Sequence, residues 1–480
     1  MIHAEPTSKP AQKAVESLRT NLKGLLILPG DTAYDEARTV WNRMIDRYPG
    51  FIVKCAGTSD VIAAIRFARE HNLPVAIKGG GHNVAGNAVC DDGVVIDLSN
   101  MNAVQVDAEK KTAHVEAGCL LGDMDRATQV YGLATPAGIM SETGVAGLTL
   151  GGGLGWLSRK YGLTIDSLLS AELITAQGEQ LTVSKEENAD LFWGIRGGGG
   201  NFGVVTSFEF QLYDVGPEVY SGLIVHPFSE AKDVLTFHRE FVTHIPDALS
   251  AWVVIRKAPP LPFLPLEVHD QLVVIVAFCY TGTQEEGERL MAAHRILGNP
   301  HGEHVGMHPY AGWQTTIDPL QAHGARNYWK SHNLKDLSEA CIDTILEYAE
   351  KLPSPHTEIL IPHLQGAIAR VPNDATAYAH REVPYLLNIH GRWETPAEDD
   401  QCIQWTKDLF DAVKPYSTGG VYVNFISQEG DERVQDAYLE SWERLVTLKN
   451  KYDPENFFRM NQNIKPQIVS VYNLILSFKF

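Results

Sequence analysis

Between residues 51 and 83 the apolar positions change period twice. "FIVKC" and "PVAIK" are short β-branched runs, while the stretch between them puts Val61, Ile65 and Ala68 on one helical face. Ser59 can cap that helix and Pro74 follows its stop, so the pattern predicts strand, helix, strand. The second strand runs straight into "GGGHN". Residues 93–118 then read as short alternating strands broken at Asp107 to Lys110, followed by a helix from about Leu121 to Tyr131 that ends at Gly132. A glycine-rich stretch at 143–163 precedes a hairpin, "AELITAQGEQLTVS", whose turn falls at Gln177 and Gly178. A third, "DLFWGIRGGGGNFGVVTSFEFQL", passes from helix through Gly197 to Gly200 into a strand.

From about residue 216 the texture changes. Glycine clusters cease, and amphipathic helices at 337–352 and 399–413 alternate with strand-like runs, "EILIPHLQGAIARV" and "VPYLLNIHGRW". "GGVYVNF" alternates as a strand would, which places Tyr422 and Asn424 on one face. A helix over 431–450 leads into "DPENFFRMNQNI", and the apolar tail "QIVSVYNLILSF" is expected to be ordered against the core.

At 480 residues the chain exceeds one ordinary core. Lys and Arg number 40 against 59 Asp and Glu, a formal charge of −19. That balance argues against nucleic acid or an anionic membrane as partner and for a small molecule. The six cysteines are scattered with no CxxC pair, so neither a disulfide framework nor a structural metal is signalled. No run of apolar residues is long enough to span a bilayer and no leader pattern opens the chain, which together predict a soluble, cytoplasmic protein.

Three glycine-rich segments in the first 210 residues exceed what turns require. Unshielded backbone amides in such loops form concavities for anions, so together they suit one long phosphate-bearing ligand. None is a G-x-G-x-x-G at a first strand–helix turn, and there is no Walker A motif. In chain order, "KGGGHN", "PAGIMSETGVAGLTLGGGLG", "RKYGLTIDSL", "DLFWGIRGGGGNFGVVT", "RVPNDATAYAHR", "YVNF" and "YDPENFFRMNQNI" resemble the berberine bridge enzyme-like branch of the vanillyl-alcohol oxidase superfamily, with 6-hydroxynicotine oxidase-like members the nearest in pattern.

The resemblance implies an α+β, bilobed fold. Residues 1–215 and 416–480 would form an FAD-binding domain, and residues 216–415 a substrate domain whose antiparallel sheet covers the flavin. It implies covalent attachment of the flavin 8α-methyl to His82, with Gly79, Gly80 and Gly81 letting the backbone come near. Asn83, Gly86, Thr143, Gly144, Gly147, Gly151, Gly152, Gly155, Gly203, Val204, Asn424, Asn461 and Asn463 would complete the cofactor contacts. Where many members carry a second tether, a cysteine in P-A-G-V-C, this chain has "PAGIM". Met140 therefore predicts a single attachment, and Ile139 matches a position bordering the flavin. Tyr378, His380 and Arg381 match the family pattern near the flavin rim.

The tyrosine of Y-x-N-[FY] is the implied base, here Tyr422, although a phenol with a reference pKa of ~10 needs its phenolate stabilised. On the alternating roof strands, His363 and Arg392 are the candidate catalytic or substrate contacts, with Asn388 and His390 beside them. The expected activity is hydride transfer from a CH–OH or CH–NH substrate to flavin, with O2 as acceptor and H2O2 as product. A noncovalent FAD dehydrogenase with another acceptor, and an inactive flavin-binding protein, are the alternatives.

Overall fold

The computed structural model describes residues 10–467, so the apolar tail expected to pack on the core lies almost wholly outside the described residues. The fold is α+β, built on three main sheets. The first has strands Leu25–Ile27, Phe51–Lys54, Val94–Asp97 and Val75–Lys78 in that spatial order, the last three mutually parallel. Helix Thr58–Glu70 is the crossover between Phe51–Lys54 and Val75–Lys78, burying Val61, Ala64, Ile65 and Ala68. This helix starts one residue before Ser59, on Gly57, with no side-chain cap. The acceptor is Asp60 instead: its fully buried carboxylate takes N–H bonds from Lys23, Gly24 and Ala56 at 2.8–2.9 Å.

The second sheet is antiparallel and five-stranded, in the order Val104–Asp107, Thr112–Glu116, Val204–Gln211, Leu168–Ile174, Gln180–Ser184. One apolar core unites these two sheets with Val421, Val423, Leu445, Leu448, Phe458 and Ile464, so the last described part of the chain packs where the first part does. The third sheet has seven antiparallel strands drawn entirely from residues 218–393. Helices Ala231–Phe241, Glu339–Ala349 and Asp399–Val413 bury their apolar faces against it.

Three sequence expectations change. "GGVYVNF" is no strand: Val423–Phe425 form a 3-10 turn, because Asn424 Nδ2 bonds back to Tyr422 Oη and to Leu148 O. The helix expected over 431–450 is two, Asp431–Tyr438 and Trp442–Tyr452, broken where Leu439 takes φ 42°. The run "EILIPHLQGAIARV" stays extended only over Glu358–Pro362; Gln365 (φ 50°) and Gly366 (φ 67°) turn it into a short helix, Ala367–Arg370.

Candidate functional site

Strand Val75–Lys78 ends at Gly79, and the loop that follows crosses the loop at residue 144 backbone against backbone. A Cβ on Gly80 would sit 2.5 Å from the Gly144 nitrogen, and one on Gly144 would meet Gly80 in return. These two glycines serve the crossing of two loops. By contrast, a Cβ on Gly147 or Gly200 would meet nothing within 4 Å, and both residues face a cavity of about 310 Å³. Loops 79–83, 138–147 and 199–205, with Asn424, Asn461 and Gln462, form its floor. Its roof comes from the seven-stranded sheet: Trp329, Glu358, Leu360, Asn388 and His390. Register sets this row, since Glu358 and Trp329 each pair with His390 and Leu360 pairs with Asn388.

His82 lies in the cavity wall with its ring stacked on Trp41, centroids 4.1 Å apart and planes 19° apart. Its Nε2 is buried without a partner. Burial, reinforced by His323 and further by His390 and Arg392, pushes its pKa down to about 3, so the imidazole is neutral at physiological pH. The last sequence motif is tied to the third glycine loop by one ammonium. Lys449 Nζ, fully buried, donates to Asn201 O, Phe458 O and Asp453 Oδ2 at 2.7–2.8 Å, while Asp453 also accepts from the Phe457 and Phe458 amides. Asn461 Nδ2 donates to Gly200 O, leaving its Oδ1 buried and unpartnered.

Tyr422 lines the cavity, and its Oη accepts N–H bonds from Gly153 (3.0 Å) and Asn424 Nδ2 (2.9 Å). Burial raises the phenol to about 12, and both donors pull the other way. In the roof, Glu358 accepts from Arg256 Nη1 (2.6 Å) and Gln321 Nε2 (2.8 Å), and its Oε1 lies 3.1 Å from His390 Nδ1. Burial opposes ionisation of this carboxyl, but the Arg256 guanidinium and the His390 bond outweigh it and bring the pKa to about 2.

Of the residues singled out in the sequence, the structure brings to the cavity Gly79, Gly80, Gly81, His82, Asn83, Thr143, Gly144, Gly147, Gly203, Val204, Tyr422, Asn424 and Asn461, with Ile139, Met140, Asn388 and His390. Others stand back from it. Gly86 (φ 75°) packs on Ile45, Gly151 on the Asn424 amide, Gly152 on the Tyr378 ring and Gly155 on Ala137 O. Asn463 is one residue beyond the lining Gln462. His363 does not reach the cavity: its Nδ1 is 2.9 Å from buried Arg159 Nη1, and the strand ends just before it. Arg392 is likewise withdrawn, donating to Ala322 O and Asn327 Oδ1 and lying over Trp41. Arg381 forms a buried ion pair with Asp166.

Sequence reasoning missed Trp41, Asn201, Gln321, Trp329 and Glu358. Asn201 closes "GGGGN" and was visible as a polar end to a glycine run; the other four depend on pairings across more than 30 residues and carry no local signal. Among the described residues, no group of three His, Cys, Asp or Glu is placed to hold a metal ion, and no helix is long and apolar enough to cross a membrane.

Residues 49–184 match a family model described as an FAD binding domain, and residues 421–465 match one described as berberine and berberine like. An FAD-linked oxidoreductase of Dictyostelium discoideum is 34% identical over 461 residues, covering 95% of this chain and 98% of that protein. The (R)-6-hydroxynicotine oxidase of Paenarthrobacter nicotinovorans is 28% identical over 460 residues, 93% and 98% of the two chains. A crystal structure of 6-hydroxy-D-nicotine oxidase from Arthrobacter nicotinovorans superposes with a TM-score of 0.84 at 28% identity, covering 93% of this chain and 98% of that one. A xylooligosaccharide oxidase from Myceliophthora thermophila, at 24% identity over 95% and 100% of the chains, shares the fold with a TM-score of 0.83.

Proposed function

Because the chain belongs to the berberine bridge enzyme-like family of FAD-linked oxidoreductases, we propose that its FAD lies along the three glycine loops, is bonded to His82 alone, and oxidises a CH–OH or CH–NH group beneath the sheet, with O2 as the acceptor. The residues present fit such a cofactor. No Lys or Arg of the described residues lines the cavity, so a diphosphate would rest on backbone N–H groups of loops whose Gly147 and Gly200 leave open space. The orphaned Asn461 Oδ1 supplies an acceptor at the same wall.

When bound, FAD supplies the hydride acceptor and the route of electrons to O2. The protein supplies orientation and proton handling. As the phenolate, Tyr422 Oη would take the substrate's O–H or N–H proton, and the Gly153 and Asn424 N–H groups that it accepts from would stabilise that anion against the burial that raises the phenol to about 12. Asn388 Oδ1 and Gln321 Oε1 are buried, unpartnered acceptors in the wall, suited to a hydroxyl or amine hydrogen of the substrate. Ile139, Leu154, Leu360 and Phe425 exclude water around them. With Met140 in place of a thiol, only one tether is available.

The observation that carries this reading is the neutral His82 ring in the cavity wall, its Nε2 buried with no partner of its own. Acid precipitation of the purified protein tests it, with intact mass measured beside a His82→Ala variant. A yellow wild-type pellet with the mass of one FAD added, and a colourless variant pellet, are expected. Flavin lost to the supernatant from both would remove the covalent assignment.

A further inference from the structure

Ahead of the first matched segment, which begins at residue 49, the chain forms a strap between the two walls of the cavity. Asn42 Nδ2 donates to Val84 O (2.8 Å) beside the first glycine loop and to Asn327 O (2.9 Å) in the sheet, and its Oδ1 accepts from the Asn327 amide. Trp41, fully buried, is fixed by three contacts of its own. Its amide donates to Gly81 O (3.1 Å), its indole Nε1–H donates to Gln321 O (2.7 Å), and Trp329 meets the ring edge-on. The indole so fixed is the surface on which His82 stacks. Arg392 lies over the same indole, its guanidinium carbon 5.4 Å from the ring centroid.

A half-buried imidazole that must react through one nitrogen has to present that nitrogen in a set direction, because a small misalignment of reacting atoms costs orders of magnitude in rate. Stacking on a rigid ring fixes an imidazole's plane without occupying its lone pair, which a hydrogen bond to Nε2 would do. We propose that Trp41 is the positioning residue for attachment of FAD, its indole holding the His82 ring so that Nε2 faces the cavity. The inference rests on the reading of His82 as the tether. Attachment joins Nε2 to the 8α-carbon: the imidazole gives up its N–H hydrogen and the methyl group one hydrogen, and these two protons and two electrons pass to O2 as H2O2. The Arg392 guanidinium over the same indole contributes charge that helps to keep the imidazole unprotonated, a role in place of the substrate contact expected of it.

The test compares wild type with Trp41→Phe, Trp41→Leu and His82→Ala, all produced with ample riboflavin, and reads flavin retained in the acid pellet against flavin released to the supernatant. Trp41→Phe keeps most of the covalent mass. Trp41→Leu loses it by roughly tenfold or more while the soluble protein remains yellow and releases its FAD on precipitation. A Trp41→Leu pellet as yellow as wild type overturns the inference. Should that variant not fold, Trp41→Phe decides alone: on adding FAD to apo-protein its attachment must be slower than wild type, because the smaller ring overlaps the imidazole less, and equal rates overturn the inference. A wild-type pellet without flavin overturns the tether itself, and is seen before any Trp41 variant is compared.

Discussion

The floor and the roof of the cavity are made by different means. The floor is backbone: loops at 79–83, 143–147 and 199–203 present amides and open space, and side chains matter there mainly by being absent. The roof is side chain: Arg256, Glu358 and His390, on neighbouring strands, form a buried charged network to which Gln321 donates from a loop. A glycine requirement is local, so it is written in consecutive letters. A charge network is an agreement between residues up to 134 positions apart, from Arg256 to His390, and is invisible until register is known.

The contrast breaks first within the floor. Gly144→Ala sets a methyl group against the Gly80 backbone, where neither chain can yield, and is expected to cost about 3 kcal/mol or more. Gly147→Ala, with open space at its Cβ, should keep the wild-type melting temperature and lose flavin affinity instead. Equal melting temperatures for the two variants would show that the crossing of the loops is not what constrains them.

In the roof, Glu358→Gln leaves the Arg256 guanidinium buried without its counter-ion, which typically costs about 3–5 kcal/mol. Urea unfolding of apo-protein reads this directly, and a change under about 1 kcal/mol would mean that Gln321 and solvent replace the carboxylate.

The smallest effect sharpens the comparison by pH. The sheet half buries His238 and His363, lowered to about 3, and His332, lowered to about 4, all chiefly by burial. Their folded pKa values lie below the ordinary 6.5, so the unfolded chain binds more protons below that point. Stability is therefore full above about pH 6.5 and falls as pH drops towards 4, by up to about 1.4 kcal/mol per pH unit per histidine. The urea midpoint of apo-protein between pH 7 and pH 5 checks the sign; an unchanged midpoint would show that these histidines are not held neutral.

Against this background it is clear why the two halves were unequally legible. The crossover helix 58–70, the hairpin at 177–178 and the helix 399–413 follow from period and turn chemistry. His82 and the floor glycines stood in motifs whose spacing the cavity preserves. Tyr422 and Asn424 do face the same cavity, but through a 3-10 turn closed by their own hydrogen bond, which an alternating pattern imitates. His363 and Arg392 were misjudged because alternation along a strand says which residues share a face and not where that strand stops or what stands in front of it. Pro362 ends one strand a residue early, and the Arg392 guanidinium lies over Trp41, the ring on which His82 stacks.

The union of residues 18–212 with 421–464 in one core has a consequence for how the chain is made. The seven-stranded sheet and its helices are contiguous, so their own apolar core, which ends at Tyr416, is present once that residue has left the ribosome. The cofactor half must wait for Lys449 and Asp453 to emerge and close over Asn201, some 250 residues after that loop was synthesised. Until residues 449–453 emerge, the glycine loops are therefore an unfinished surface beside a sheet whose own core is already present.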